Sequence, residues 1–123
     1  MTRARRRSGE PRRVARPPEE ELLDLLGLAA RAGAVLTGTD TVRRGIRDGD
    51  VVHVVIAADS SPTQQQKLVP LLEARGVPHG ILLDRERLGA ALGKGPVSAA
   101  GLTNRGFAGR AAELAAAISS PQD

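Results

Sequence analysis

No cysteine, tryptophan or tyrosine occurs in this 123-residue chain, and there is one phenylalanine and two histidines. Without cysteine there can be neither a disulfide framework nor a thiolate metal site. With one aromatic ring, the chain cannot hold single-stranded nucleic acid by stacking successive bases on an aromatic platform. Two histidines cannot build a histidine-rich metal centre, so no metal and no cofactor are expected. No apolar run approaches the ~20 residues needed to span a bilayer. The basic N-terminus lacks the apolar stretch of a secretory signal. By exclusion these absences point to a cytoplasmic protein with no membrane partner.

What remains is aliphatic and unevenly charged. Apolar residues make up 41% of the chain, enough for one folded domain whose core is Leu, Val, Ile and Ala. The net charge of +4 is concentrated at one end. Residues 1–16 hold seven arginines (3, 5, 6, 7, 12, 13 and 16) against Glu10, whereas the rest holds eleven basic and thirteen acidic residues and is net −2. Residues 1–18 carry almost no apolar side chains and end in Pro17-Pro18. Too little surface can be buried there to offset the entropy of ordering, so a disordered, arginine-rich arm is expected over 1–18, with a short disordered tail over 119–123. The arm reads either as a solubilising tail or as a phosphate-binding segment, since guanidinium pairs bidentately with phosphate.

Helix and strand patterns alternate through residues 19–118. A helix is expected after Pro18, with Glu19–Glu21 at its positive end, Leu22, Leu25, Leu26 and Ala29 on one face, and Gly33 as its stop. Ala34–Thr37 is extended, and a second helix runs from Thr39 to Asp48 with Val42 and Ile46 inward. Val51–Ala58 is the strongest strand, apolar enough to be buried on both faces. Ser61, Pro62 and Gln64 form a capping pattern for a third helix that stops at Arg75-Gly76. Strands at Ile81–Leu83 and Val97–Leu102 and helices at Arg85–Leu92 and Arg105–Ile118 complete the pattern. The alternation predicts an α/β fold, a three-layer α/β/α sandwich.

Catalytic signatures are thin. His53 lies inside the strand VVHVV and reads as a satisfied core or edge imidazole; His79 has no zinc-binding context. Asp59, Ser60 and Ser61 follow a strand, but Ser61 is accounted for as a cap and no G-x-S-x-G elbow exists. Gly93-Lys94-Gly95 lacks the spacing of a phosphate loop and precedes a strand. The chain is not expected to be an enzyme.

Three stretches carry a resemblance: LGLAARAGAVLTGTDTVRRGIRDG (26–49), VVIAADSSP (54–62) and LGAALGKGPVSAAGLTNRGFA (88–108). In this order and spacing the chain resembles the L-seven-Ae superfamily of ribosomal and RNA-protein-particle proteins that bind kink-turn RNA, and the LGLAxRAG opening and TNRGFA close are similar to its bacterial YlxQ-like branch. The resemblance covers residues 20–118. It implies a four-stranded mixed sheet in the sandwich, and RNA as partner in translation or ribosome assembly. It also implies an RNA surface built from Gly38, Thr39, Asp40, Thr41 and Arg44 at the second helix, with the loop Gly93–Val97 before the last strand as a second surface; the candidate site is taken as these helix residues with the neighbouring cations Arg43 and Arg47, and Lys94, Gly95 and Val97 of the loop. The physics agrees: a helix N-terminus presents free amides and a positive dipole end to phosphate, and Gly38 permits close backbone approach. In the kink-turn readers Asn generally stands at the place of Asp40, Glu at Thr41 and Lys at Arg44, and bacterial relatives often have Arg at Val97. Asp40 also has a purely structural reading: with Thr37 it fits a T-x-x-D cap, and it could pair with Arg44, as Arg44 could with Asp48.

Two functions stay open at this point. RNA binding by a monomer expects Arg31, Arg43, Arg44, Arg47, Lys67 and Lys94 on one face around Gly38. A protein-interaction adaptor, partnered with ribosomal or transcription-complex proteins, expects those charges scattered and an apolar patch exposed.

Overall fold

The structure, a computed structural model, describes residues 16–119. Nearly all of the expected arm, and the tail after Ser119, lie outside the described residues. Nine elements follow in order: α1 (Pro18–Arg31), β1 (Val35–Thr37), α2 (Thr39–Arg47), β2 (His53–Ile56), α3 (Pro62–Arg75), β3 (His79–Ile81), α4 (Arg85–Ala91), β4 (Ala99–Leu102) and α5 (Arg105–Ser119). The sheet order is β1-β4-β2-β3. β4 runs antiparallel to both β1 and β2, while β2 and β3 are parallel, so the sheet is mixed.

β2 explains the layering. All four of its residues are buried, and they alternate between two cores. Val55, with Ala100 and Leu102 of β4, packs against α1, α4 and α5 through Leu22, Leu26, Leu88, Ala111 and Leu114. Val54 and Ile56 face the other way, onto Val42 and Ile46 of α2 and Leu68 and Leu72 of α3. The expected α/β/α sandwich is therefore formed, with α1, α4 and α5 on one face and α2 and α3 on the other.

Element ends differ from expectation for local reasons. Pro18, placed in the arm by the sequence reading, is the first residue of α1, where a missing N–H costs nothing. Arg16 pairs with Glu20 at 3.6 Å and with Asp24 of that helix. Ser119, expected in the tail, is the last residue of α5. The third strand was expected at Ile81–Leu83 but lies two residues earlier, because Val54, Val55 and Ile56 pair with His79, Gly80 and Ile81. Leu82 and Leu83 are buried, which gives them a strand-like pattern, but Leu83 turns the chain at φ 65. β2 and β4 are shorter at their ends than the apolar runs that announce them.

His53 is also corrected. It is 3% exposed, faces the α5 side of the sheet, and neither ring nitrogen has a hydrogen-bond partner. Its pKa lies below the usual imidazole value, first because burial disfavours the charged ring and second because of repulsion from His79. His53 is thus a neutral core side chain, not a satisfied one.

Candidate nucleic-acid interface

β1 ends at Thr37, and the chain must turn sharply to start α2. Gly38 makes that turn at φ 99, ψ 149, a conformation that a side chain would strain. Its N–H donates to Ala99 O at 2.9 Å, tying the turn to the start of β4, and its carbonyl accepts from Val42 N at 2.9 Å. Gly38 itself is the N-cap, and no side chain caps the helix. The expected Thr37–Asp40 cap is therefore not made: with Gly38 as N-cap, Asp40 is the second helical residue, one short of the position that cap needs. The first-turn amides of α2 are left facing outward at the positive end of the helix dipole.

Those amides open onto a groove of about 360 Å³. One wall is Thr37, Gly38, Thr39 and Asp40; a second is Pro96, Val97 and Ser98 from the loop entering β4; a third is Gln64 and Lys67 of α3. The structure thus brings the helix entry and the late loop together, sets Lys67, which the sequence reading expected on the face around Gly38, in the wall, and adds Gln64, which that reading did not place there. Only the packing of α2 on α3, through the shared core of Ile46, Leu68 and Leu72, could reveal it. The Thr39 hydroxyl is shielded from solvent and has no hydrogen-bond partner.

The charges sort into committed and free. Asp40 pairs with Lys67 at 3.7 Å, not with Arg44 one turn on, and both side chains remain largely in solvent, at 84% and 48% exposure. Arg43 donates from Nε to Lys67 O at 3.2 Å, which fastens α2 to α3. Arg75 of α3 donates to the carbonyls of Arg47 (3.0 Å) and Ile46 (3.5 Å), satisfying the last turn of α2. Arg44 and Arg47 are exposed and, among the described residues, have no carboxylate within ion-pair distance. Val42 and Ile46 are buried, at 0% and 2%, so the helix turns its arginines outward as expected.

The late loop is pinned from beneath. Lys94 N donates to Gly89 O at 2.8 Å and Val97 N to Arg85 O at 3.0 Å. Lys94 and Gly95 are exposed beside the groove but do not line it. Val97 lines it with a side chain that is only 6% exposed and belongs to the α1/α4/α5 core. The expectation of Val97 as an accessible contact is corrected: its size fixes the loop, and Pro96 and Ser98 present the surface. Of the six cations expected on one face, Arg43, Arg44, Arg47 and Lys67 share the α2/α3 side. Arg31 lies on the opposite face, beside Arg87.

The model of the ribosomal protein L7Ae/L30e/S12e/Gadd45 family matches residues 20–111 of the chain. Over 94 residues the chain is 32% identical to the RNA-binding protein YlxQ of Bacillus subtilis (strain 168), covering 76% of this chain and 94% of that one. It is 32% identical over 88 residues to the large ribosomal subunit protein eL8 of Cenarchaeum symbiosum (strain A), covering 71% of this chain and 70% of eL8. Among solved structures, a protein with unknown function from Bacillus halodurans C aligns with a TM-score of 0.74 at 33% identity, over 76% of this chain and 95% of that chain. The Giardia lamblia 15.5kD RNA binding protein aligns at 0.70 and 24% identity, over 85% and 90%, and shares the fold.

Proposed function

Because the chain belongs to the ribosomal protein L7Ae/L30e/S12e/Gadd45 family, we propose that it is a non-catalytic RNA-binding protein that engages structured, kink-turn-like or ribosomal RNA through the entry of α2. It acts in the cytoplasm as a monomer, in translation or ribosome assembly. The observation that carries this reading is the uncapped N-terminus of α2 at Gly38, set in a groove against the loop before β4 and followed by the unpaired Arg44 and Arg47. Phosphate is bound by the first-turn amides of Thr39, Asp40 and Thr41. Arg44 and Arg47, one and two turns further on, continue the positive surface, and Lys94 and Gly95 extend it past the groove. The arginines of residues 1–15 add sequence-independent affinity for the backbone.

The test is titration of the full chain against a kink-turn RNA and a regular duplex of equal length. Arg44→Ala weakens kink-turn binding by ~1–3 kcal/mol where Arg44 reads a base, and by less where it meets only phosphate. Asp40→Asn gives the position an amide that donates as well as accepts, and leaves kink-turn affinity unchanged or tighter. If both variants bind as the parent does, the α2 entry is a structural turn and the RNA reading fails there.

A further inference from the structure

We propose that the trough between α1 and α4 is a protein-docking surface that takes an apolar, acidic segment of a partner chain. It lies on the opposite side of the sheet from the α2 groove and carries an open concavity. Two adjoining hollows, of about 590 and 380 Å³, share Gly27, Arg31, Ala90 and Ala91, so they form one continuous channel. Its floor is set by close helix packing: a Cβ on Gly27 would stand 3.1 Å from Ala91 O. On the α4 side Ala90 and Ala91 offer only methyl groups, which keeps the channel open.

The α1 wall is apolar where the fold does not need it to be. Leu22, Leu26 and Ala29 form the buried face of α1, yet Leu28 stands 52% exposed in the channel, the most exposed large hydrophobic side chain among the described residues. Leu23 continues the same wall. Leu28 belongs to neither buried cluster, and with Leu23 it gives the channel an apolar wall.

Charge decides the occupant. Arg87 is held by Glu19 at 2.8 Å, and Asp24 at one end of the channel is held by Arg16. Arg31, where the two hollows meet, has no carboxylate partner among the described residues. The uncommitted charge of the channel is therefore a single guanidinium beside an apolar wall. It suits a segment that lays an apolar side chain on Leu23 and Leu28 and brings a carboxylate to Arg31. RNA suits it poorly. A single guanidinium answers one carboxylate but not a row of phosphates, and Leu23 and Leu28 offer phosphate nothing.

The experiment uses the full chain, 15N-labelled, and three probes: an amphipathic Leu/Glu peptide, a Leu/Lys peptide of the same length, and the kink-turn RNA. The Leu/Glu peptide is expected to shift the amides of Leu28, Arg31 and Ala91, and to bind about tenfold more weakly to Leu28→Asp. Arg31→Glu is expected to reverse the preference between the peptides. Both substitutions are at exposed side chains, and an unchanged melting temperature verifies folding. Kink-turn affinity is expected to be the same in Leu28→Asp as in the parent, so this proposal and the RNA reading fail separately. Absence of peptide binding, equal binding of the two peptides, RNA shifts at Leu28 and Arg31, or a dimer in sedimentation that Leu28→Asp dissolves would each overturn it.

Discussion

Replacing Gly89 by alanine is expected to disturb the RNA groove without touching any residue that lines it. Gly89 lies in α4 directly under the loop before β4. A Cβ there would overlap Gly95 O, stand 2.7 Å from Gly95 C and 3.2 Å from Lys94 O. All three are backbone atoms, so no rotamer change relieves the clash, and the loop must lift by more than about 1 Å to restore ordinary contact. Lifting strains the bonds from Lys94 N to Gly89 O and from Val97 N to Arg85 O. At ~0.5–1.5 kcal/mol each, their loss costs about 2 kcal/mol. Partial exposure of Val97, now 6% accessible, adds roughly 1 kcal/mol. Alanine in a helix returns about 1 kcal/mol over glycine. The net is a loss of about 2 kcal/mol, or roughly 8 °C or more in melting temperature for a domain of this size. Urea unfolding measures the first quantity. Kink-turn titration measures the second consequence, a weaker complex, because Pro96 and Ser98 move with the loop. A variant that melts higher than the parent, as helix propensity alone requires, and binds RNA equally well would refute the reasoning.

Other perturbations probe separate parts. His53 has a lowered pKa in the folded state, so the unfolded chain takes up its proton first as the pH falls; stability is full above about pH 6.5 and declines below it, by at most about 1.4 kcal/mol per pH unit. His53→Leu should remove that part of the acid dependence, and an unchanged slope between pH 7 and 5 in thermal melts would place the sensitivity elsewhere. Lys67→Gln should weaken RNA binding more in the parent than in an Asp40→Asn background, because Lys67 offsets the Asp40 carboxylate at 3.7 Å; equal losses in a double-mutant cycle would show the pair to be irrelevant to RNA. Deleting residues 1–15 should flatten the log–log salt dependence of binding by about 0.7–0.9 for each phosphate that the arm no longer neutralises, with little change in melting temperature, and an identical slope would exclude the arm from the complex.

The fold was legible because its signals are periodic. The apolar run of β2, the Ser61-Pro62 start of α3, and the Val42/Ile46 spacing each follow from one physical rule, and each is found where the sequence places it. The errors occur where two rules compete. Ile81–Leu83 is more apolar than His79–Ile81, but strand pairing follows backbone register with β2, and burial alone does not report register. Thr37 and Asp40 have the spacing of a cap, but the chain reverses at Gly38, so the helix begins one residue later than that cap needs. Asp40 had a cation four residues away in sequence and chose Lys67, on a neighbouring helix, which no local pattern encodes. The same limit hid Gln64 from the candidate site, left Lys67 as no more than a cation expected on the same face, and let Val97 stand as a contact. Site residues within one turn of helix could be read; walls contributed by a packed neighbour could not.

The charge distribution resolves what looks like a contradiction between a net −2 domain and an RNA partner. The acidic residues are not spread evenly. Glu19, Glu20, Glu21 and Asp24 lie along α1, and Arg16, Arg87 and Arg110 bind them from three directions. Hydrogen bonds to carboxylates are the leading cause of the raised pKa values of all three arginines. That face is close to neutral because its cations are engaged within it. On the α2 face the balance runs the other way: Asp40 is met by Lys67, while Arg44 and Arg47 answer no carboxylate among the described residues. A phosphate approaching within a Debye length, about 8 Å at physiological salt, is attracted by the local surface more than by the domain's total. The sheet therefore separates two electrostatic environments, one whose α1 carboxylates are met by arginines and one where Arg44 and Arg47 stand unpaired, and the uncapped helix entry lies on the second. A domain of negative net charge can in this way turn a positive face to RNA, and the opposite face is left free for contacts of a different chemistry.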